Sequence, residues 1–313
     1  MSMITVQGDT EFASVEQQRD LLATAPTDYD RYAAARIMAE EQRHGWQMAY
    51  LLMTYFGQQG RREAQKLLER NAQEGDRLLG AFNRPMTHWL DFFCYTMFVD
   101  RDGKFQLGML STSAFKPLAA SMGPMLKEEA FHLGTGSNGL RRVIKAGVLP
   151  LDLLQRYINQ WVSTAHDLFG VDESSSAHWA YVWGVKGRWD ERKKLEGGVE
   201  VSKEKLNEEA RHHYHEEIVR EVRKLCNYLP DDAPRLYVPH ENFNREIGTY
   251  KRQRYTVEGT LFEGSDDEWN QYIETHLPTK KDEEDLKEYF KQQWVAEKPM
   301  TAKQIASGIG AGA

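Results

Sequence analysis

The sequence predicts an all-α protein, and three observations carry the prediction. Apolar residues recur at helical spacing over long stretches, as with Ala35, Met38, Gly45, Met48 and Leu52 between residues 29 and 56. Turn residues bracket that run, with Pro26 and Thr27 before it and Gly57 to Gly60 after it. The 313 residues, 41% hydrophobic and 28% charged, describe a globular chain long enough to bury a substantial core.

Taken in order, a first helix is expected over residues 11–22, and Thr27 and Asp30 then cap a second at 29–56. Helices follow at 61–79 and 87–99, and "DRDGK" at 100–104 reads as a turn ahead of a segment at 105–114. Pro117 opens the next element, where the Gly123-Pro124 pair favours a break or kink before a helical stretch at 125–133. Residues 151–169 and the charged run 202–226 form two more helices. Beyond Pro230, short aromatic and β-branched runs separated by Pro, Gly and Asn suggest a small strand-bearing extension that wraps the helices, and 279–298 reads as a last helix. The expected organisation is a helical domain with accessory helices at 5–229, a C-terminal extension at 230–300 and a flexible tail at 301–313.

A net charge of −7 offers no electrostatic reason to bind nucleic acid. Two cysteines, Cys94 and Cys226, are too few for a disulfide framework and suit a reducing compartment. The first twenty residues lack the pattern of a secretory signal, and no run of eighteen apolar residues suggests a membrane span. A cytoplasmic protein is the expectation.

Chemistry enters with "EEQRH" at 40–44 and "EEAFH" at 128–132. Residues three apart share a helical face, so Glu41/His44 and Glu129/His132 can each present a carboxylate and an imidazole inward. Two such units plus one carboxylate from each of two further helices make the ligand set of a four-helix dimetal bundle. Glu11 lies 30 residues before Glu41, and Asp100 lies 29 before Glu129. The spacing selects Glu11, Glu41, His44, Asp100, Glu129 and His132 as metal ligands, with Asp91 and Asp102 as alternatives to Asp100. Asp30, Asp91 and Glu128 are candidate polar partners for the histidines. Met38, Met48, Phe98, Phe105 and Phe131 are candidate walls of an apolar compartment, and Gln7, one turn before Glu11, could reach a substrate.

The stretches "MAEEQRHGWQMAYLL", "FVDRDGKFQL", "FKPLAASMGPMLKEEAFHLG", "GVKGRWDE" and "FNREIG" together resemble the oxygenase component of benzoyl-CoA 2,3-epoxidase, and more distantly the catalytic subunit of phenylacetyl-CoA epoxidase. The resemblance covers residues 5 to about 295 and implies a ferritin-like four-helix diiron bundle with additional helices and a C-terminal wrapping extension. It maps the family's iron ligands onto the same six residues, with Asp at the position of Asp100. Two iron ions, O2 as cosubstrate, and electrons from NAD(P)H through a separate flavin/iron-sulfur reductase are what it implies for chemistry. An aromatic acyl-CoA, benzoyl-CoA first, is the implied substrate. Lys186 and Arg188, within "GVKGRWDE", are then candidate contacts for the CoA phosphates, ahead of Arg252, Gln253 and Arg254. A homo-oligomer or an accessory subunit is compatible with the same reading, as is the competing one of a ferritin-like iron-binding or ferroxidase protein.

Overall fold

The structure, a computed structural model, describes residues 1–188, 205–243, 249–250 and 252–298. The chain is all-α, and the described residues add only a two-stranded antiparallel hairpin. The helices are α1 (Ser2–Gln18), α2 (Asp28–Tyr55), α3 (Gly57–Glu69), α4 (Trp89–Leu110), α5 (Lys116–Ala146), α6 (Leu151–Leu168), α7 (Ser175–Val182), α8 (Leu206–Cys226), α9 (Asp266–His276) and α10 (Lys280–Tyr289). Strands β1 (Thr249–Tyr250) and β2 (Gln253–Arg254) lie between α8 and α9. The described residues fall into two compact units, one drawn from 1–92, 116–128 and 297–298, the other from within 93–115 and 129–296.

In the first unit, Thr27 starts α2 as expected, its hydroxyl accepting from the Asp30 N–H and donating to the Asp30 carboxylate at 2.6 Å. The helix turns Ala33, Ile37, Glu41, His44, Met48 and Leu52 inward, whereas Ala35, expected on that side, is exposed. Two boundaries differ from expectation. Helix α1 begins at Ser2, which places Glu11 in mid-helix rather than at an entry. Helix α2 ends at Tyr55, before the glycines as expected, but α3 begins at Gly57, at φ +55, rather than at residue 61. Gly60 then passes so close to the Leu52 carbonyl that a Cβ would stand 1.9 Å from it. Helix α3 stops at Glu69 rather than near 79, where Asn71 accepts the Glu74 N–H and Gly75 takes a positive φ.

Helix α4 runs through the "DRDGK" stretch that reads as a turn. Asp100, Arg101 and Asp102 are buried there: Arg101 pairs with Glu217 at 2.5 Å, joined by half-buried Lys104 at 2.8 Å, and Asp102 accepts from Gln106 at 3.0 Å. Tertiary hydrogen bonds outweigh local turn preference. Helix α5 likewise continues through Pro124 without a break. A proline removes one N–H and crowds the carbonyl four residues back. Ala120, Gly123 and Pro124 are all exposed, so water can satisfy that carbonyl. Gly147 at φ +65 ends α5.

In the second unit, α6 occupies its expected span, and α8 carries Glu208 and Glu209 in its first turn and Arg223 and Lys224 in its last, matching its dipole. Residues 202–204, at the expected start of that helix, and the tail at 301–313 lie outside the described residues. The C-terminal extension holds more helix than expected. Both α9 and α10 start with capping boxes, Ser265/Glu268 and Thr279/Asp282, and α10 ends at Tyr289. Phe243, Val257, Trp269 and Leu277 give this region a small core of its own. No helix among the described residues is long and apolar enough to cross a membrane.

Candidate metal centre

The buried stripe of α2 sets Glu41 and His44 side by side, 5% and 1% exposed. Helix α1 packs against it at two glycines. A Cβ on Gly8 would lie 2.9 Å from Met48 and Leu67, and one on Gly45 would lie 2.8 Å from the Phe12 ring. This close approach brings Glu11 Oε2 to 3.4 Å from His44 Nδ1. Ligand atoms of Glu11, Glu41 and His44 all lie within 4.8 Å of one another. The other oxygen of Glu11 accepts from Gln7 Nε2 at 2.6 Å, so the amide of Gln7 is engaged with this carboxylate. On the far side of the imidazole, His44 Nε2 meets Glu128 Oε2 at 2.6 Å, and exposed Arg43 reaches the same oxygen at 2.5 Å. That bond orients the ring and leaves Nδ1 facing the two carboxylates. Burial pushes the Glu11 carboxyl up, but hydrogen bonds to His44 and Glu41, the His44 charge and Gln7 outweigh it and hold the group below its ordinary value.

The second unit repeats the arrangement with α4 and α5. A Cβ on Gly136 would stand 2.3 Å from the Met97 backbone nitrogen, and one on Gly139 would stand 2.1 Å from the Phe93 ring. Glycine at both positions lets the helices meet closely, one and two turns from His132. His132 Nδ1 lies 3.6 Å from Glu129 Oε2 and 3.8 Å from Asp100 Oδ2, all three residues being buried. Glu129 Oε2 is buried with no hydrogen-bond donor. Of the alternatives to Asp100, Asp91 accepts from the Thr87 N–H at the start of α4. Asp102 accepts from Gln106, and burial pushes its carboxyl up to about 7 against the pull of Gln106 and Lys186. Asp30 is the capping partner of Thr27.

Glu11, Glu41 and His44 fit a hard divalent ion, and His132 has the Asp100 and Glu129 carboxylates at comparable distances. An ion with bonds of about 2.1 Å holds neighbouring ligand atoms about 3.0 to 3.4 Å apart, so separations of 3.4 to 3.8 Å need only a small contraction. Carboxylate oxygen with imidazole nitrogen is the donor chemistry of non-haem iron. The donorless Glu129 oxygen is the kind of buried atom that a cation satisfies.

Other expected site residues fall elsewhere. Lys186 is buried and donates to Gln106 and Asn207 at 2.8 Å each; burial lowers its ammonium to about 8, although Asp102 and Asp172 oppose the shift. Arg188 is buried and paired with Glu209. Both cations bond to residues of α8, Lys186 to Asn207 and Arg188 to Glu209. Met48 and Phe98 are fully buried, and Phe105 stacks edge-on with Phe169 and Tyr214. Met38 and Phe131 are half-buried.

An all-α chain with two buried carboxylate-histidine triads on closely packed helices defines a helical protein suited to iron. The chain belongs to the phenylacetic acid catabolic protein family, whose match spans residues 1–251. It is also similar to "Benzoyl-CoA oxygenase component B" of Aromatoleum evansii, 38% identical over 324 aligned positions that cover 90% of this chain and 68% of the relative.

Proposed function

We propose that the protein is the oxygenase component of a multicomponent system that epoxidises an aromatic acyl-CoA, with benzoyl-CoA as the leading substrate. The observation that carries this reading is the pair of triads in a chain so similar to a benzoyl-CoA oxygenase component. Glu11, Glu41 and His44, with Asp100, Glu129 and His132, would hold two irons, which when bound supply reductive activation of O2. One oxygen atom enters the ring as an epoxide and the other leaves as water. Two electrons come from NAD(P)H through a separate flavin/iron-sulfur reductase, and the word "component" in the relative's name favours such a partner.

The chain's own residues prepare that chemistry. Gln7 fixes Glu11 by donating to one carboxylate oxygen. Glu128 accepts from His44 Nε2 and so holds Nδ1 toward the ion. Burial of both triads excludes bulk water from the reacting centre. The family description favours one second reading, phenylacetyl-CoA as substrate. The test is anaerobic reconstitution with Fe(II), addition of a competent reductase and O2, and separate incubation with benzoyl-CoA and phenylacetyl-CoA. An oxygenated benzoyl-CoA product is expected. Turnover of phenylacetyl-CoA alone selects the second reading, and neither product from a demonstrably reduced protein rejects both.

A further inference from the structure

We propose that Arg77 is the positioning residue that holds the ligand Glu11 in place, by clamping the outer face of α1 through Asp9 and Glu16. The proposal rests on reading Glu11, Glu41 and His44 as an iron site. Helix α1 has two faces with different work. Gln7 and Glu11, four apart, share one side, and Asp9 and Glu16, seven apart, share the other. Its apolar anchors are few: beside Ile4, Phe12 and Ala13, the buried residues include Thr5, Asp9, Glu11, Ser14, Gln17 and Gln18. Hydrophobic burial alone therefore fixes this helix weakly, and no side chain caps its N-terminus.

The segment between α3 and α4 supplies the missing grip. Arg77 donates through Nη1 to Asp9 at 3.2 Å, and through Nε and Nη2 to one Glu16 oxygen at 3.0 and 2.6 Å. Backbone N–H groups from the same segment complete the hold, Leu78 on Asp9 at 2.7 Å and Ala72 on both oxygens of Glu16. Gln17 adds a bond to the Arg84 carbonyl at 2.7 Å. The Arg77 side chain is only 4% exposed, and its backbone is locked in turn by Asn83, which accepts its N–H and donates to its carbonyl. A buried fork with two carboxylates is directional, so it fixes the rotation of α1 as well as its position. Rotation decides whether Glu11 faces His44. Glu11 is one of the three ligands in this triad, so a turned α1 weakens one ion site and spares Asp100, Glu129 and His132.

The experiment measures Fe(II) stoichiometry and affinity anaerobically on the full chain, with circular dichroism confirming the fold. The parent is expected to bind two irons. Arg77→Met should weaken one of them by on the order of 10- to 100-fold, the range for lost support of a metal ligand. Glu11→Ala should weaken the same iron, the double variant should lose no more than Glu11→Ala alone, and Arg77→Lys should fall between parent and Arg77→Met. Two irons at parental affinity in a folded Arg77→Met chain would overturn the proposal. Equal loss of both irons would also overturn it, by showing a general structural role. Should Arg77→Met fail to fold, Asp9→Asn and Glu16→Gln carry the same comparison. A folded parent that binds no iron would instead sink the iron reading, and the clamp with it.

Discussion

Glu128 and Glu129 are neighbours in sequence with different tasks. Glu129 offers a donorless buried oxygen beside His132, whereas Glu128 meets His44 Nε2 at 2.6 Å and also receives Arg43. Because the bond to Nε2 sets the tautomer of His44, Glu128→Gln should weaken Fe(II) binding by about 10- to 100-fold, as loss of such support generally does. Arg43, with its side chain 57% exposed, should matter far less, and Arg43→Ala serves as the comparison. Competition against a chelator reads both, and an unchanged affinity in Glu128→Gln would remove it from the site. The pairs Glu41/His44 and Glu129/His132 were legible in the sequence because three-residue spacing is a local property of one helix. Glu128 as the partner of His44 was not, since the two stand 84 residues apart and Asp30 and Asp91 looked equally suitable. Only the structure shows those two aspartates at helix entries.

At the scale of elements, the glycines inside helices explain how the buried carboxylates and imidazoles of different helices meet. Glycine in a helix interior costs about 1 kcal/mol relative to alanine, so each asks for a packing reason. Gly45 admits the Phe12 ring, and Gly136 admits the α4 backbone at Met97, three residues from Asp100. Gly136→Ala is therefore expected to push α5 from α4, lower stability by about 1–3 kcal/mol in denaturant unfolding, and loosen iron at His132 and Asp100. Gly134→Ala, where an added Cβ meets nothing, should be neutral or slightly stabilising. Equal stability of the two variants would show that the Gly136 crossing relaxes freely. The start of α2 was readable from Thr27, whose cap acts within one turn. The continuity of α4 was not readable, because Arg101 finds its partner Glu217 116 positions further along the chain. Pro124 misled for a related reason: whether a proline breaks a helix depends on what its face meets, here solvent.

At the scale of the whole molecule, the chain buries Glu11, Glu41, Asp100 and Glu129 together with two histidines, although its formal charge is already −7. Buried carboxylates without a cation oppose folding, and one that binds the native state should repay that cost. At a free concentration 100 times its dissociation constant, Fe(II) or redox-silent Co(II) adds about 2.7 kcal/mol, which should raise Tm by roughly 4 °C in a protein of this size. The pH dependence has a definite sign. Glu11 is held below its ordinary value of 4.5, so its contribution is present above that value and lost as pH falls through the folded value. Protonating Glu11 also weakens the metal, so its share of the Tm gain should persist down to pH 4.5 and be lost on acidification below it. Anaerobic calorimetry with and without Co(II), repeated on Glu41→Ala, reads the effect: the parent should gain and the variant should lose most of the gain. Equal gains in the two would place the cation elsewhere, and no gain in the parent would leave the buried carboxylates without the ion that their packing calls for.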